Sequence, residues 1–516
     1  MSEEQGEKRD IARGAGRGGV AVLGAKVYFI LAGLVQQALL PKVIGLAGYG
    51  ALSRVLAVAN VVNNVVVSSS VQGVSRAVAG SRGDDRPVLR AAIRVHLPIA
   101  LVAMVVCAAG SPLVARAQLA EHVTLPLPAA SLVVGLYGAY APLVGALNGR
   151  GQFQRQAALD ATFATLRTAG LVGGGWLLAR AGMGPLGAIL GFAAAAAAIV
   201  PMALRWSGSG ASAKDGPALD ARAYLLGLAP LGLAQLATNA VMQSDITLLG
   251  RFLSSAALES GLAHDAARDA ADEWVAVYRA CQLFAFLPYQ LLLSVTQVLF
   301  PMLARAKAEG DQEAVRTYVS RGVRLAAIAG GGLVAVVASM PSSLLRFAYG
   351  ADVAERGGAA LRVLALGQGA FALMGVGATV LASLGHERRA ARVTAGALAA
   401  TVLACVGLVP RAAFGGAQLA ASALAVTSAM VLALAATAFV VRRVAGAFLP
   451  WATAARVCLA LGVVVAIGTR VPTVGRLFAP IVACCMFLAY AVVLLATREV
   501  GREDVSAFVG MLRRRK

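Results

Sequence analysis

Apolar residues run through fourteen stretches of this chain, each close to the roughly 20 residues that a helix needs to cross the hydrocarbon core of a bilayer. The stretches are 19–40, 51–78, 96–115, 126–147, 159–180, 185–205, 223–250, 275–303, 323–346, 360–384, 392–410, 416–441, 453–470 and 477–497. Their apolar runs are continuous rather than alternating, so they predict helices and not the strands of a barrel. Only helices or closed barrels satisfy backbone polar groups in lipid. The pattern therefore predicts an all-α polytopic membrane protein with about 14 transmembrane helices. The first stretch follows a hydrophilic tail (1–18) and has no convincing small-residue cleavage site, which makes it a retained helix rather than a removed signal peptide.

The second half of the chain echoes the first at an offset of about 230 residues, the mark of a duplicated bundle. LNGRGQFQRQAA (147–158) aligns with LASLGHERRAAR (381–392) at Leu147/Leu381, Gly151/Gly385, Arg155/Arg389 and Ala157/Ala391; Arg76 aligns with Arg305, and GPLGAI (184–189) with GAQLAA (416–421). The expected organisation is an N-lobe of six helices (19–205), a Gly, Ser and Ala-rich linker (206–222) and a C-lobe of six helices (223–441). Two extra helices (442–497) and a basic tail (498–516) follow. An even number of helices per repeat keeps both lobes in one orientation, so the two pseudo-symmetric lobes enclose a cavity.

Charge sharpens the topology. Only 14% of residues are charged and 59% are hydrophobic, with a mean hydropathy of +0.75, far from a soluble domain. The net charge of +21 is concentrated in alternate loops. Lys8, Arg9, Arg13 and Arg17 precede the first stretch; Arg76, Arg82, Arg86, Arg90 and Arg94 follow the second; Arg150 and Arg155 follow the fourth. Arg305, Lys307, Arg316, Arg321 and Arg324 follow the eighth, Arg388, Arg389 and Arg392 the tenth, and the tail ends in RRRK. The intervening loops hold isolated residues such as Lys42, Arg116, Arg180 and Arg411. By the positive-inside rule both termini are cytoplasmic, and the charge answers to topology and anionic lipid rather than to nucleic acid.

Charged residues inside the apolar stretches are costly and mark function unless they snorkel to the interface. They are Lys26, Arg54, Asp160, Arg167, Asp245 and Arg279. On the second stretch Asn60, Asn64, Ser68 and Gln72 recur every fourth residue, with Arg54 on the flank of the stripe. The eighth carries Arg279, Gln290 and Gln297 within a narrow arc of 100-degree steps. The seventh carries Gln235, Asn239 and Gln243 with Asp245 close by, and the first places Lys26 and Gln37 on one face. These stripes predict either a cavity wall built from helices one, two, seven and eight, or interhelical hydrogen bonding in a tight bundle. Cations outnumber anions in the set, so the cavity attracts anions, and arginine's planar fork suits phosphate oxygens.

Other signals carry less. The six cysteines fall within apolar stretches, as packing groups. GAGRGG (14–19) has no preceding strand and lies in a charged tail, so it is not a nucleotide loop. No Walker motif appears. His96, His122, His264 and His386 lack ligand spacing and read as surface or interfacial residues, and HDAARDAADEW (264–274) reads as a short surface helix with a solvated charged face.

VYRACQLFAFLPYQLLLSVTQVLFPMLAR (277–305), LLRFAYG (344–350), LRVLALGQ (361–368) and VLASLGHERRAARV (380–393) resemble the multidrug/oligosaccharidyl-lipid/polysaccharide exporter superfamily. The likeness extends over nearly the whole chain and is strongest to the flippases of polysaccharides and lipid-linked oligosaccharides. The resemblance implies two lobes forming a V around a central cavity, in the bacterial cytoplasmic (inner) membrane. It also implies alternating access that moves an undecaprenyl-diphosphate-linked saccharide to the periplasmic leaflet. It places Lys26, Arg54 and Arg279 toward substrate, Asp245 with Asn239 near a coupling ion, and a glycosyltransferase or polymerase of the same pathway as partner. It implies no cofactor, with coupling to an ion or the membrane potential, and no enzyme activity. The aspartate-rich motif of lipid II flippases has no counterpart in LPKVIGLAGYGALSRV (40–55), which argues against lipid II itself, and the stretch at 391–410 offers Thr394 and Thr401 but no carboxylate to complete a sodium site. The alternatives are a drug/cation antiporter, which would want an acid where Lys26 stands; a polyprenyl-linked glycosyltransferase or ligase, which would usually need larger outer loops; and an inactive scaffold, separable by a transport assay.

Overall fold

The computed structural model describes the backbone at 2–81, 84–208 and 220–501, and the side chains there except at 2–23, 25, 26, 294, 295, 297 and 298. Arg82, most of the linker, most of the basic tail and the side chains of Lys26 and Gln297 therefore lie outside the described residues. All regular structure among the described residues is helical: α1 (Ser2–Ala79), α2 (Arg86–Ala117), α3 (Pro126–Gly149), α4 (Phe153–Ala179), α5 (Gly184–Ser207), α6 (Ala221–Glu259), α7 (His264–Ala285), α8 (Leu287–Ala308), α9 (Gln312–Ser339), α10 (Pro341–Ala348), α11 (Ala351–Ser383), α12 (Glu387–Leu408), α13 (Gly416–Ala445), α14 (Trp451–Arg470) and α15 (Ala479–Ala496). Eleven of these are long and apolar enough to cross a membrane, α1 among them.

One expected break is kept and one expected continuity is lost. The first two apolar stretches are two helices, as expected, joined at a kink and labelled together as α1; the kink is at Gly45, whose φ of 75° and ψ of 166° lie outside the helical region. Glycine takes that conformation without a steric penalty. Conversely, the eighth stretch is two helices, because Pro288 stands at the start of α8 and α7 ends before Phe286. The 100-degree count that aligned Arg279 with Gln290 and Gln297 assumed one unbroken helix and no longer applies.

The chain divides into two compact units, Met1–Ala276 and Val277–Lys516, with the division inside α7. In the first, α4 and α5 meet through two facing glycine pairs. A Cβ on Gly174 would strike the Gly187 carbonyl, and one on Gly170 the Gly191 carbonyl. Residues four apart share a helix face, so Gly170 with Gly174 and Gly187 with Gly191 are two small-residue seams pressed together. Gly145 and Gly149 let α3 approach α1 at Val71 and Ser75 in the same way. At one end of this unit, Arg150 donates to both Asp85 oxygens (2.5 and 3.1 Å) and to the Ser207 carbonyl (2.5 Å), joining the ends of α2, α3 and α5.

In the second unit α8, α9, α11 and α13 enclose a core that includes Leu299, Val319, Val323, Val380 and Val441. α14 and α15 form a smaller core with α9 around Ala335, Val464, Met486 and Tyr490, and the Tyr490 hydroxyl donates to the Ile328 carbonyl at 3.1 Å. Just past α15, buried Glu499 accepts from Arg324 of α9 (2.7 Å), and from Thr453 (2.7 Å) and Arg456 (2.9 Å) of α14. Burial alone would raise the Glu499 pKa, but the hydrogen bonds from Arg324, Thr453 and Arg456 outweigh it and hold the carboxyl below its ordinary value.

Two outcomes follow. Gly174→Ala is expected to cost about 1–3 kcal/mol through overpacking, whereas Gly173→Ala, which meets open space, is neutral or stabilising; thermal unfolding of the purified protein in detergent measures both. A depressed carboxylate stabilises the fold above its unfolded pKa and loses that contribution as pH falls through the folded one. The stability advantage of wild type over Glu499→Gln should accordingly be constant near neutrality and shrink below pH 4.5, read from melting temperatures of both proteins between pH 7 and pH 4.

Candidate functional site

The polar stripe on the second limb of α1 is directed in part at α6. Asn64 Nδ2 donates to Asn239 Oδ1 at 2.7 Å, and Asn239 Nδ2 donates to the Gln235 carbonyl at 2.8 Å. The stripes read on the second and seventh apolar stretches thus meet each other. Asn60, Ser68 and Gln72 are half-buried and make no side-chain hydrogen bond among the described residues. Asn63, Ser69 and Ser70, interleaved with the stripe, are buried or half-buried and carry unsatisfied oxygens. A helix with that many unpaired polar atoms is poorly suited to a lipid-facing position.

Arg54 is fully buried. Its Nε lies 2.6 Å from Asp272 Oδ1, an electrostatic contact rather than a well-directed hydrogen bond. Its Nη2 donates to Ser254 Oγ at 3.0 Å and its Nη1 to the Gln118 carbonyl at 3.5 Å. On the other side of the carboxylate, His122 Nε2 stands 2.7 Å from Asp272 Oδ2. Four segments converge here: α1, the turn after α2, α6 and α7. Glycines make the approach possible, since Gly50 of α1 lies against the Asp272 backbone and Gly250 of α6 against the Arg54 guanidinium.

This network corrects two expectations. Asp272 belongs to the segment read as a solvated surface helix, yet it is 2% exposed, beside the buried Ala267, Ala271 and Val275 of α7. A carboxylate adjoining an alanine and valine face was the available signal. His96, read as interfacial, is buried in α2 and pairs with the Tyr224 hydroxyl of α6 at 2.9 Å.

Arg167 of α4 faces the first limb of α1, with its guanidinium 4.4 Å from the Phe29 ring centroid. Phe29 is less than one turn beyond Lys26. Arg167 also lies near Tyr137, which packs edge-on against Tyr140, Phe163 and Phe192. Asp160 interacts with the same two tyrosines, so an acid, a base and four aromatic rings form one cluster inside the first unit. In the second unit, half-buried Arg279 donates to Gln282 at 3.0 Å, and Gln290 is exposed.

Asp245 is buried on α6, its Oδ1 accepting the Ile246 amide at 2.8 Å. Thr394 and Thr401 of α12 donate to carbonyls of their own helix. Among the described residues, no group of three His, Cys, Asp or Glu side chains could hold a metal ion.

This fold is that of multi-helix membrane transporters. The lipid II flippase MurJ, in an inward closed conformation, aligns with a TM-score of 0.71 at 12% identity, covering 94% of this chain and 100% of that one. The multidrug transporter DinF-BH, of the MATE type, aligns at 0.61 and 17% identity over 84% and 95% of the two chains. A transporter of the MOP superfamily from Pyrococcus furiosus, described as having a binding pocket of reverse polarity, aligns at 0.58 and 14% over 83% and 95%. The sequence model of the polysaccharide biosynthesis protein family matches residues 15–307, more than half of the chain, and this protein belongs to that family. No curated protein sequence matches it.

Removing one member of a buried ion pair costs about 3–5 kcal/mol because the other charge is stranded. Arg54→Ala and Asp272→Ala are each expected to destabilise by that order, and the double variant by clearly less than the sum. A double-mutant cycle on thermal stability measures the coupling, and additive losses would show that the two side chains do not act as a pair.

Proposed function

We propose that this protein is a flippase that moves a polyprenyl-diphosphate-linked saccharide, of the undecaprenyl type, from the cytoplasmic to the periplasmic leaflet of the bacterial inner membrane for cell-surface polysaccharide or cell-wall synthesis. The observation that carries the reading is the polysaccharide biosynthesis family match over 15–307, on a fold aligned along 94% of this chain with a lipid II flippase. The chemistry agrees. Lys26, Arg54, Arg167 and Arg279 supply cations for a diphosphate, Asn60, Asn64, Ser68 and Gln72 supply donors and acceptors for sugar hydroxyls, and the polyprenyl chain stays in lipid. Transport is by alternating access, with both termini cytoplasmic. In the conformation described, the Arg54–Asp272 pair holds α1 to α7; breaking it would release the guanidinium and change how those helices meet. Asp245, with Asn239 on the same helix, is the candidate for coupling to an ion gradient, and glycosyltransferases or a polymerase of the same pathway are the natural partners.

A second reading is supported by the MATE-type alignments: export of a drug or organic cation. The charged residues assigned to the cavity oppose it: with Arg54 and Asp272 neutralising each other, Lys26, Arg167 and Arg279 outnumber Asp160 and Asp245, and an excess of positive charge repels cations.

The test is transport in proteoliposomes, with a fluorescent polyprenyl-diphosphate saccharide and a cationic dye as rival substrates. The wild-type protein is expected to move the former and not the latter. Arg279→Ala should lower transport by roughly tenfold or more while expression persists, and Arg279→Lys, which keeps the charge but loses the fork, should fall between. Full activity of both Arg279→Ala and Arg54→Ala, or transport of the dye alone, would refute the assignment.

A further inference from the structure

Away from the residues assigned above, α12 and α13 lie antiparallel and leave an open groove of about 670 Å³ between them. Its two ends differ in chemistry. Arg389 and Arg392 in the first turns of α12, and Arg443 in the last turn of α13, line one end, and no carboxylate lines any part of it. Farther along, the floor is made of small residues, Gly396 of α12 and Ala436 of α13 among them, with Phe439 forming a wall. The three arginines are exposed, and none is paired with a carboxylate among the described residues. Arg443 is held over the Phe439 ring at 4.8 Å from its centroid, at the mouth of the groove, and Arg392 Nε donates to the Arg388 carbonyl at 3.3 Å.

The floor follows from the sequence. Arg389, Arg392, Gly396 and Ala400 recur at intervals of three and four on one face of α12, and Ala436, Phe439 and Arg443 do so on α13. A Cβ at Gly396 would have nothing within 4 Å, so glycine here relieves no crowding. It leaves space. From Arg389 to Ala400 the groove runs about 16 Å along the helix axis, close to half of the roughly 30 Å hydrocarbon core. A cavity one leaflet deep, cationic at the interface and smooth and apolar below it, has the shape and polarity of a single membrane lipid. Its basic end carries the arginines that follow the tenth apolar stretch, the side that the charge rule places at the cytoplasm, where anionic lipid is enriched.

We propose that the α12–α13 groove binds one anionic diacyl phospholipid, its phosphate on Arg389, Arg392 and Arg443 and an acyl chain along Gly396 and Ala436. The site lies within the second unit and does not depend on the transported substrate.

Native mass spectrometry of the full-length protein, delipidated in detergent and titrated with phosphatidylglycerol or phosphatidylethanolamine, tests the assignment. The wild type is expected to retain phosphatidylglycerol in preference. A triple variant, Arg389→Gln, Arg392→Gln and Arg443→Gln, should lose retention by at least about tenfold, since each substitution removes a cation that attracts the phosphate. Gly396→Leu, which fills the groove without altering charge, should lose it comparably, and its open surroundings keep that variant foldable if the triple one fails. A control that removes three arginines elsewhere, Arg316→Gln, Arg321→Gln and Arg442→Gln, should bind as wild type. Unchanged retention in Gly396→Leu would overturn the proposal, as would an equal loss in the control. Complete competition by inorganic phosphate would reassign the groove to a soluble anion, and stronger retention of a polyprenyl monophosphate than of phosphatidylglycerol would overturn the diacyl assignment.

Discussion

Inside hydrocarbon there is no gain from hiding apolar surface, so helices hold together only where they come close enough for dense contact or share a hydrogen bond. This chain meets that constraint chiefly with glycine. Gly170, Gly174, Gly187 and Gly191 bring α4 and α5 to backbone contact; Gly145 and Gly149 do so for α3 on α1; Gly468 does so for α14 against Ser339. The polar residues are then placed by these close approaches rather than by chance. Arg54 can be enclosed from four directions because Gly50 and Gly250 leave room for the segments around it.

Charge inside the bundle follows the same economy of space. Arg54 and Asp272 neutralise each other, with His122 on the far side of the carboxylate. Arg167 rests on Phe29 and reaches Tyr137, near Asp160. Glu499 collects two arginines and a threonine where α14 and α15 join α9. In each case a single charged residue joins at least two helices, so charge placed inside the bundle also serves cohesion. An Arg54 committed to Asp272 in one conformation and to a phosphate in another would tie the state of the bundle to occupancy of the site.

Helix existence was plain in the sequence because continuous apolar runs of spanning length have few other solutions. The α1 and α6 stripes were legible too, and Asn64 meets Asn239 as two polar faces in a bundle should. What periodicity could not supply was continuity. It treated 275–303 as one helix although Pro288 restarts it, whereas the break it placed between 19–40 and 51–78 is present as the kink at Gly45. The buried carboxylate of Asp272 escaped because HDAARDAADEW is hydrophilic on average. Burial there depends on one face of one helix, and on Gly50, more than 200 positions earlier, having no side chain to keep α7 away.

The bend at Gly45 has a consequence of its own. A side chain added there would meet no neighbouring atom, yet the backbone sits at a positive φ that other residues rarely adopt. Steric crowding and torsional preference, usually entangled at a glycine, are separated at this position. Replacing Gly45 would therefore strain the elbow of α1 through its backbone and not by collision with a neighbour, and any change of angle would be carried to the contacts that each limb makes.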